Sequence, residues 1–208
     1  MSMDKVMNQK ILKSEEMNQS VENPFANMDL AALENVAQSC QRCPLFQTRN
    51  NVVFGEGSPH AELMFISEGP GYNEDQQGRP FVGKAGDVLT KMITDMQFTR
   101  EEVYIGNIVK CRPPKNRNPL PAEAAACLPY LYRQIELIAP KVILLLGAVP
   151  LKFLLKRTGI MRLRGNWLEF RGIPVMPTLH PAYLLRNPSI KRDVLSDLQK
   201  VMKVFGKA

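Results

Sequence analysis

The sequence predicts an α/β protein, a three-layer α/β/α sandwich around a central four-stranded parallel sheet, on three observations. Four short apolar runs, 62–67 (ELMFIS), 103–110 (VYIGNIVK), 141–147 (KVILLLG) and 173–179 (IPVMPTL), are continuous rather than alternating, as strands buried on both faces must be. Helical patterns separate the runs. The 208 residues, 45% of them hydrophobic, suffice for one sizeable core.

Taken in order, residues 1–26 are rich in Met, Asn, Gln, Glu and Ser, lack a sustained apolar period and include Pro24, so they read as a loosely ordered tail before a single domain over 27–208. The stretch 28–36 (MDLAALENV) reads as a short helix with an aspartate suited to capping it, and it delivers Cys40 and Cys43 into a loop. Across 86–96, Val88, Leu89, Met92, Ile93 and Met96 recur at helical spacing. An alanine-rich helix over 121–138 is interrupted by Pro129, 148–156 looks helical, and a last helix is expected over about 191–204. In such a fold ligands bind outside the carboxyl ends of the strands, and the motifs below all fall there.

Lysine and arginine outnumber aspartate and glutamate by 27 to 20, giving a net charge of +7, which favours a polyanionic partner without proving one. No run of about 18 apolar residues and no secretory leader pattern is present, so a cytoplasmic protein without a membrane partner is expected. Cytosolic thiols stay reduced, which points the four cysteines away from disulfides.

Cys40 and Cys43 are two residues apart; Cys111 follows after 67 residues and Cys127 after 15 more. A close pair plus two single ligands can complete a four-sulfur site, and that chemistry alone does not separate zinc from an iron-sulfur cluster. The plainer alternative makes Cys127 a small buried helix residue. Neither histidine lies near a cysteine in sequence, so none of the four reads as a nucleophile.

Glu68 sits at the end of the first run, within Ser67-Glu68-Gly69-Pro70-Gly71-Tyr72-Asn73-Glu74, where Gly69 and Gly71 let backbone amides approach a ligand. An ordinary tight strand-to-helix loop explains the same residues. Phe81, between Pro80 and flexible glycines, can present an aromatic face to a planar ligand or anchor the core. Asn107 interrupts an apolar strand, which is costly unless both halves of its amide find partners; a pyrimidine edge supplies both, and a backbone bulge is the competing explanation. His180 lies in a proline-bracketed loop at the end of the last run, as a reactive group or a structural one.

These pieces, SEGPGYNED, GRPFVGKAG, YIGNIVKCRPPKNRNP and LHPAYLLR with the spaced cysteines, resemble in this order the family 4 uracil-DNA glycosylases, over roughly residues 30–205. The resemblance implies the uracil-DNA glycosylase fold and a monofunctional enzyme. Such an enzyme flips uracil out of double- or single-stranded DNA and hydrolyses the glycosidic bond; separately from the resemblance, a monomer is expected. It implies a 4Fe-4S cluster on Cys40, Cys43, Cys111 and Cys127. It also implies that Phe81 stacks on uracil, Asn107 reads its edge, His180 contacts O2, Glu74 crowds C5, and Gly69 and Gly71 shape the pocket. Glu68 and His180 are then the catalytic pair. The chain departs from the family in carrying Ser67 where a glycine usually precedes the glutamate, and it lacks the extra histidine-containing loop of relatives that trap uracil covalently.

For DNA contact, Lys110, Arg112, Lys115 and Arg117 cluster after the second run and Arg186 follows the histidine; phosphate neutralisation competes with plain solvated charge as their role. Tyr183, Leu184 and Leu185 are candidates for a wedge that fills the vacated stack, with core packing the alternative for Leu184.

Overall fold

A computed structural model of the chain describes residues 23–207. Of the tail expected over 1–26, residues 1–22 lie outside the described residues. Residues 23–26 form a turn that is docked rather than loose: Phe25 is buried with its ring 4.2 Å from that of Tyr130, and Asn23 Nδ2 donates to Pro129 O at 3.1 Å.

Helix α1 (Leu30–Gln38) begins where Asp29 accepts from the Ala32 amide, satisfying one of the first-turn N–H groups. Strand β1 (Glu56–Gly57) is followed by β2 (Leu63–Ser67), the one-and-a-half-turn α2 (Tyr72–Gln77), α3 (Lys84–Asp95) and β3 (Tyr104–Asn107). Then come α4 (Pro121–Ile138), β4 (Val142–Leu146), α5 (Ala148–Leu155), the single-turn α6 (Ile160–Leu163), β5 (Leu168–Phe170) and β6 (Ile173–Thr178). Helices α7 (Pro181–Arg186) and α8 (Lys191–Val204) close the fold.

The sheet has six strands in the order β1-β3-β2-β4-β6-β5. The four expected strands form its parallel centre, and β1 and β5 add antiparallel edges that the sequence did not reveal. At two and three residues, neither edge strand is long enough for apolar periodicity to register. Pro129 does not interrupt α4. Nine side chains of that helix are buried, and their packing outweighs the roughly 3 kcal/mol that an interior proline costs.

Alternation along the central strands divides the core. Met64, Ile66, Ile143 and Leu145 pack with α1, α4 and α5 on one face, while Leu63, Phe65, Val142 and Leu144 pack with α3 and α8 on the other. Among the described residues no helix is long and apolar enough to cross a membrane.

Candidate active site

Parallel pairing places Ser67 beside Asn107 and Leu146 beside Thr178, so the exits of β2, β3, β4 and β6 open side by side. They surround a cleft of about 750 Å³ whose walls include Glu68, Phe81, Asn107 and His180. The four residues that sequence reasoning chose from separate motifs therefore share one space.

Asn107 ends β3 and is 2% exposed, and its Oδ1 has no hydrogen-bond partner. Leaving a buried acceptor unpaired costs roughly 1–3 kcal/mol, which a ligand donor would recover. The bulge explanation, in which backbone satisfies this amide, does not hold for Oδ1.

His180 caps α7: Nδ1 accepts from the Ala182 amide at 3.1 Å. Burial, helped by the nearby Arg186 charge, pushes the imidazole down to about 4, so the ring is neutral at pH 7. With Nδ1 accepting, the single ring proton sits on Nε2, 3.0 Å from Ser67 Oγ. His180 thus presents a donor, and Ser67 serves as its acceptor rather than as an activated nucleophile.

The Phe81 ring lies 5.7 Å from that of His180, tilted by 28°. Its backbone takes φ +55°, uncommon for a residue with a side chain, and neighbours hold it there. Arg100 donates to Pro80 O at 2.9 Å and to Phe81 O at 3.4 Å while pairing with Glu56, which also binds Arg79 at 2.7 Å. The Arg79 and Arg100 guanidinium groups lower the Glu56 carboxyl pKa. At Gly86 any Cβ would stand 2.0 Å from Phe81 O, so only glycine lets α3 start this close to the platform.

Glu74 ties the two glycine loops together, accepting from the amides of Gly71 (3.1 Å), Val82 (3.0 Å) and Gly83 (3.3 Å). A Cβ on Gly69 would meet Val109 Cγ2 at 2.6 Å, so the β2 exit can run against the β3 exit only without a side chain. Gly71, like Gly69, lines the cleft. Burial raises the pKa of Glu68.

A second, smaller cavity behind β3 is lined by Cys40, Cys43, Cys111 and Cys127, with Arg42, Arg49 and Lys110 around them. Cys127 Sγ accepts from the Lys110 amide and Cys111 Sγ from the Arg49 guanidinium, both at 3.3 Å. Burial raises the thiols of Cys43 and Cys111, and takes Cys127 up to about 12. All four are free thiols. Among the described residues no three His, Cys, Asp or Glu side chains are grouped so as to hold a metal ion.

Two residues assigned to DNA by sequence are corrected. Lys110 is 2% exposed and donates to Asn107 O at 3.0 Å and Gln134 Oε1 at 2.6 Å, turned inward by these acceptors. Leu184, 4% exposed, packs in the α3/α8 core, since α7 turns this side chain away from the cleft. Arg117 lines the cleft but gives its guanidinium to Glu123 at 2.6 and 2.8 Å. Arg112 donates to Asn116 Oδ1 at 2.7 Å and lies over the Tyr72 ring. Lys115 is exposed, and Tyr183 and Arg186 line the cleft.

Ser67, Glu56 and Arg100 were missed as site residues. The contacts that tie them to the site span 19 to 113 positions, and no local pattern announces them.

The family described as the uracil DNA glycosylase superfamily matches residues 54–199. A type-4 uracil-DNA glycosylase of Thermotoga maritima is 48% identical over 175 residues, covering 82% of this chain and 91% of that protein. Proteins of the same description from Sulfurisphaera tokodaii (46%, covering 80% of each chain) and Saccharolobus solfataricus (45%, covering 86% and 87%) agree with it. The chain belongs to the uracil DNA glycosylase superfamily, in its type-4 family.

Proposed function

We propose that this chain is a monofunctional uracil-DNA glycosylase that acts as a monomer in the cytoplasm. It flips uracil from double- or single-stranded DNA, hydrolyses the bond between the base and the sugar, and leaves an abasic site for base excision repair. The observation that carries the reading is the buried, unpaired Oδ1 of Asn107 on the cleft wall. Uracil offers an N–H donor beside a carbonyl acceptor, so one amide pairs with both. Cytosine reverses the pattern and leaves Asn107 mispaired, a larger discrimination than a methyl group provides.

Flipping costs a few kcal/mol, offset by stacking on Phe81 and by the edge contacts. Bond cleavage leaves the electron pair on uracil and positive charge on the sugar, and water adds at C1′. A neutral His180 donating from Nε2 to O2 stabilises the departing anion; one such donor contributes about 3 kcal/mol. Glu68 is suited to orient the water and favour the cationic sugar. Glu74, held by three amides, is a rigid group to exclude the methyl of thymine.

Cys40, Cys43, Cys111 and Cys127 are proposed to hold a 4Fe-4S cluster. An all-sulfur donor set, free of carboxylate and imidazole and bordered by three cations, supports a soft-metal site whose negative charge is compensated. When bound, the cluster supplies a cross-link between the Cys40–Cys43 segment, the β3 exit and α4.

Duplexes carrying one deoxyuridine, thymine mispair, hypoxanthine or xanthine test the substrate, with the free base identified by chromatography. Release of uracil and not thymine is expected. Release of hypoxanthine or xanthine alone would replace uracil as the substrate, and release of nothing would make the chain a binding protein.

A further inference from the structure

Resting on the glycosylase reading, two of the four cations at the β3 exit are turned away from DNA, while Arg112 and Lys115 remain available to it. Of the cations there, Lys110 is buried and the Arg117 guanidinium is held by Glu123. Across the sheet, beyond β4, the segment 156–162 (KRTGIMR) adds charge that the motifs did not reveal. Lys156, Arg157 and Arg162 are exposed and, among the described residues, form no ion pair.

Between these cations stands Met161, 56% exposed, and both it and Ile160 line the cleft itself. Scattered apolar residues on a surface are ordinary. This one differs in bordering the site and in its rigid mount. Arg164 is clamped on Asp197 at 2.8 and 3.0 Å, the Gly165 amide donates to Pro177 O at 2.9 Å, and Lys200 Nζ donates to Gly165 O at 2.7 Å. The turn that follows Arg162 is therefore fixed to α8 and to β6, the strand that leads into His180.

We propose that residues 156–162 form a second DNA-binding wall, facing the β3 exit across the cleft. In it, Arg157 and Arg162 neutralise phosphates, and Met161 packs against the stacked bases next to the flipped nucleotide. Continuity with the cleft and charge complementarity to a polyanion select DNA as the partner. An apolar thioether on a fixed turn matches the apolar wedges by which proteins support an opened base step.

Two measurements test this. With undamaged duplex, the slope of log Kd against log salt should become shallower by about 1.8 in Arg157→Gln/Arg162→Gln, about 0.9 for each phosphate no longer neutralised. An unchanged slope overturns the phosphate role. In single-turnover uracil excision, Met161→Ala should lose roughly five- to tenfold on duplex DNA and less than about twofold on a single strand, which has no neighbouring stack to support. No loss, or equal loss on both, overturns the wedge. All three residues are exposed, so melting temperatures should match the wild type. The salt slope is read on DNA without uracil, so a failure of the glycosylase reading would leave that arm intact.

Discussion

The cleft and the cysteine cavity meet at the β3 exit, where Asn107 faces one and Cys111, four residues later, faces the other, yet they treat polar groups in opposite ways. In the cavity, two of the four sulfurs already accept protein hydrogen bonds, and basic residues surround the set. In the cleft, Asn107 Oδ1 is unpaired and the His180 donor rests on a single hydroxyl. In the cleft, the unsatisfied groups mark where a substrate completes the structure. Lys110 joins the two regions, with its amide on Cys127 and its ammonium on Asn107 O. Mispositioning in the cavity is therefore transmitted to the cleft floor.

Cys127→Ser gives the largest expected effect and attacks the structural half. If Cys127 holds the proposed cluster, its loss should cost about 4 kcal/mol or more, a fall in melting temperature of about 10 °C, together with any iron content and visible absorbance of the wild type. A variant equally stable and coloured would break the assignment of Cys127.

On the other side, Glu68→Gln should lower kcat/KM by about a hundredfold at neutral pH while leaving the melting temperature near that of the wild type. The pH profile carries the same test. Burial raises the Glu68 pKa, so the ionised form, and activity with it, should be lost as pH falls through a value above the usual carboxylate range. His180, pushed down to about 4, is neutral at neutral pH, and the limb that belongs to Glu68 should vanish in Glu68→Gln. A limb that persists there belongs to another group.

Arg100→Gln has a smaller effect, about tenfold in kcat/KM, because it relaxes the Pro80 and Phe81 carbonyls without touching the base. If Phe81 stacks on uracil as proposed, the loss should appear mainly in KM, because stacking precedes any development of charge. A change confined to kcat would remove Phe81 positioning from its role.

The parallel centre of the sheet was legible because buried strands write themselves as continuous apolar runs, and α8 matched at both ends because its pattern is long. The cleft residues were legible in position, at strand exits or, for Phe81, in the loop between α2 and α3, since glycine, proline and an isolated polar residue there break the apolar pattern. What escaped depended on partners distant in sequence. The Lys110 ammonium turned inward because Gln134 and the Asn107 carbonyl wait for it, and nothing in VKCRPP announces a glutamine 24 residues on. Ser67 read as a small departure from the family pattern, yet it is the hydroxyl partner of the His180 proton. The edge strands and the wall at residues 156–162 escaped because they are short and exposed, where many sequences fold alike.

The most direct measurement of the division between cleft and cavity is single-turnover release of free uracil from a duplex with one deoxyuridine, wild type beside His180→Ala. Release by the wild type is expected, with a rate about 10² to 10³ lower in the variant and a smaller loss of melting temperature than in Cys127→Ser. A variant that releases uracil at the wild-type rate would contradict the catalytic role of His180 and the division built on it.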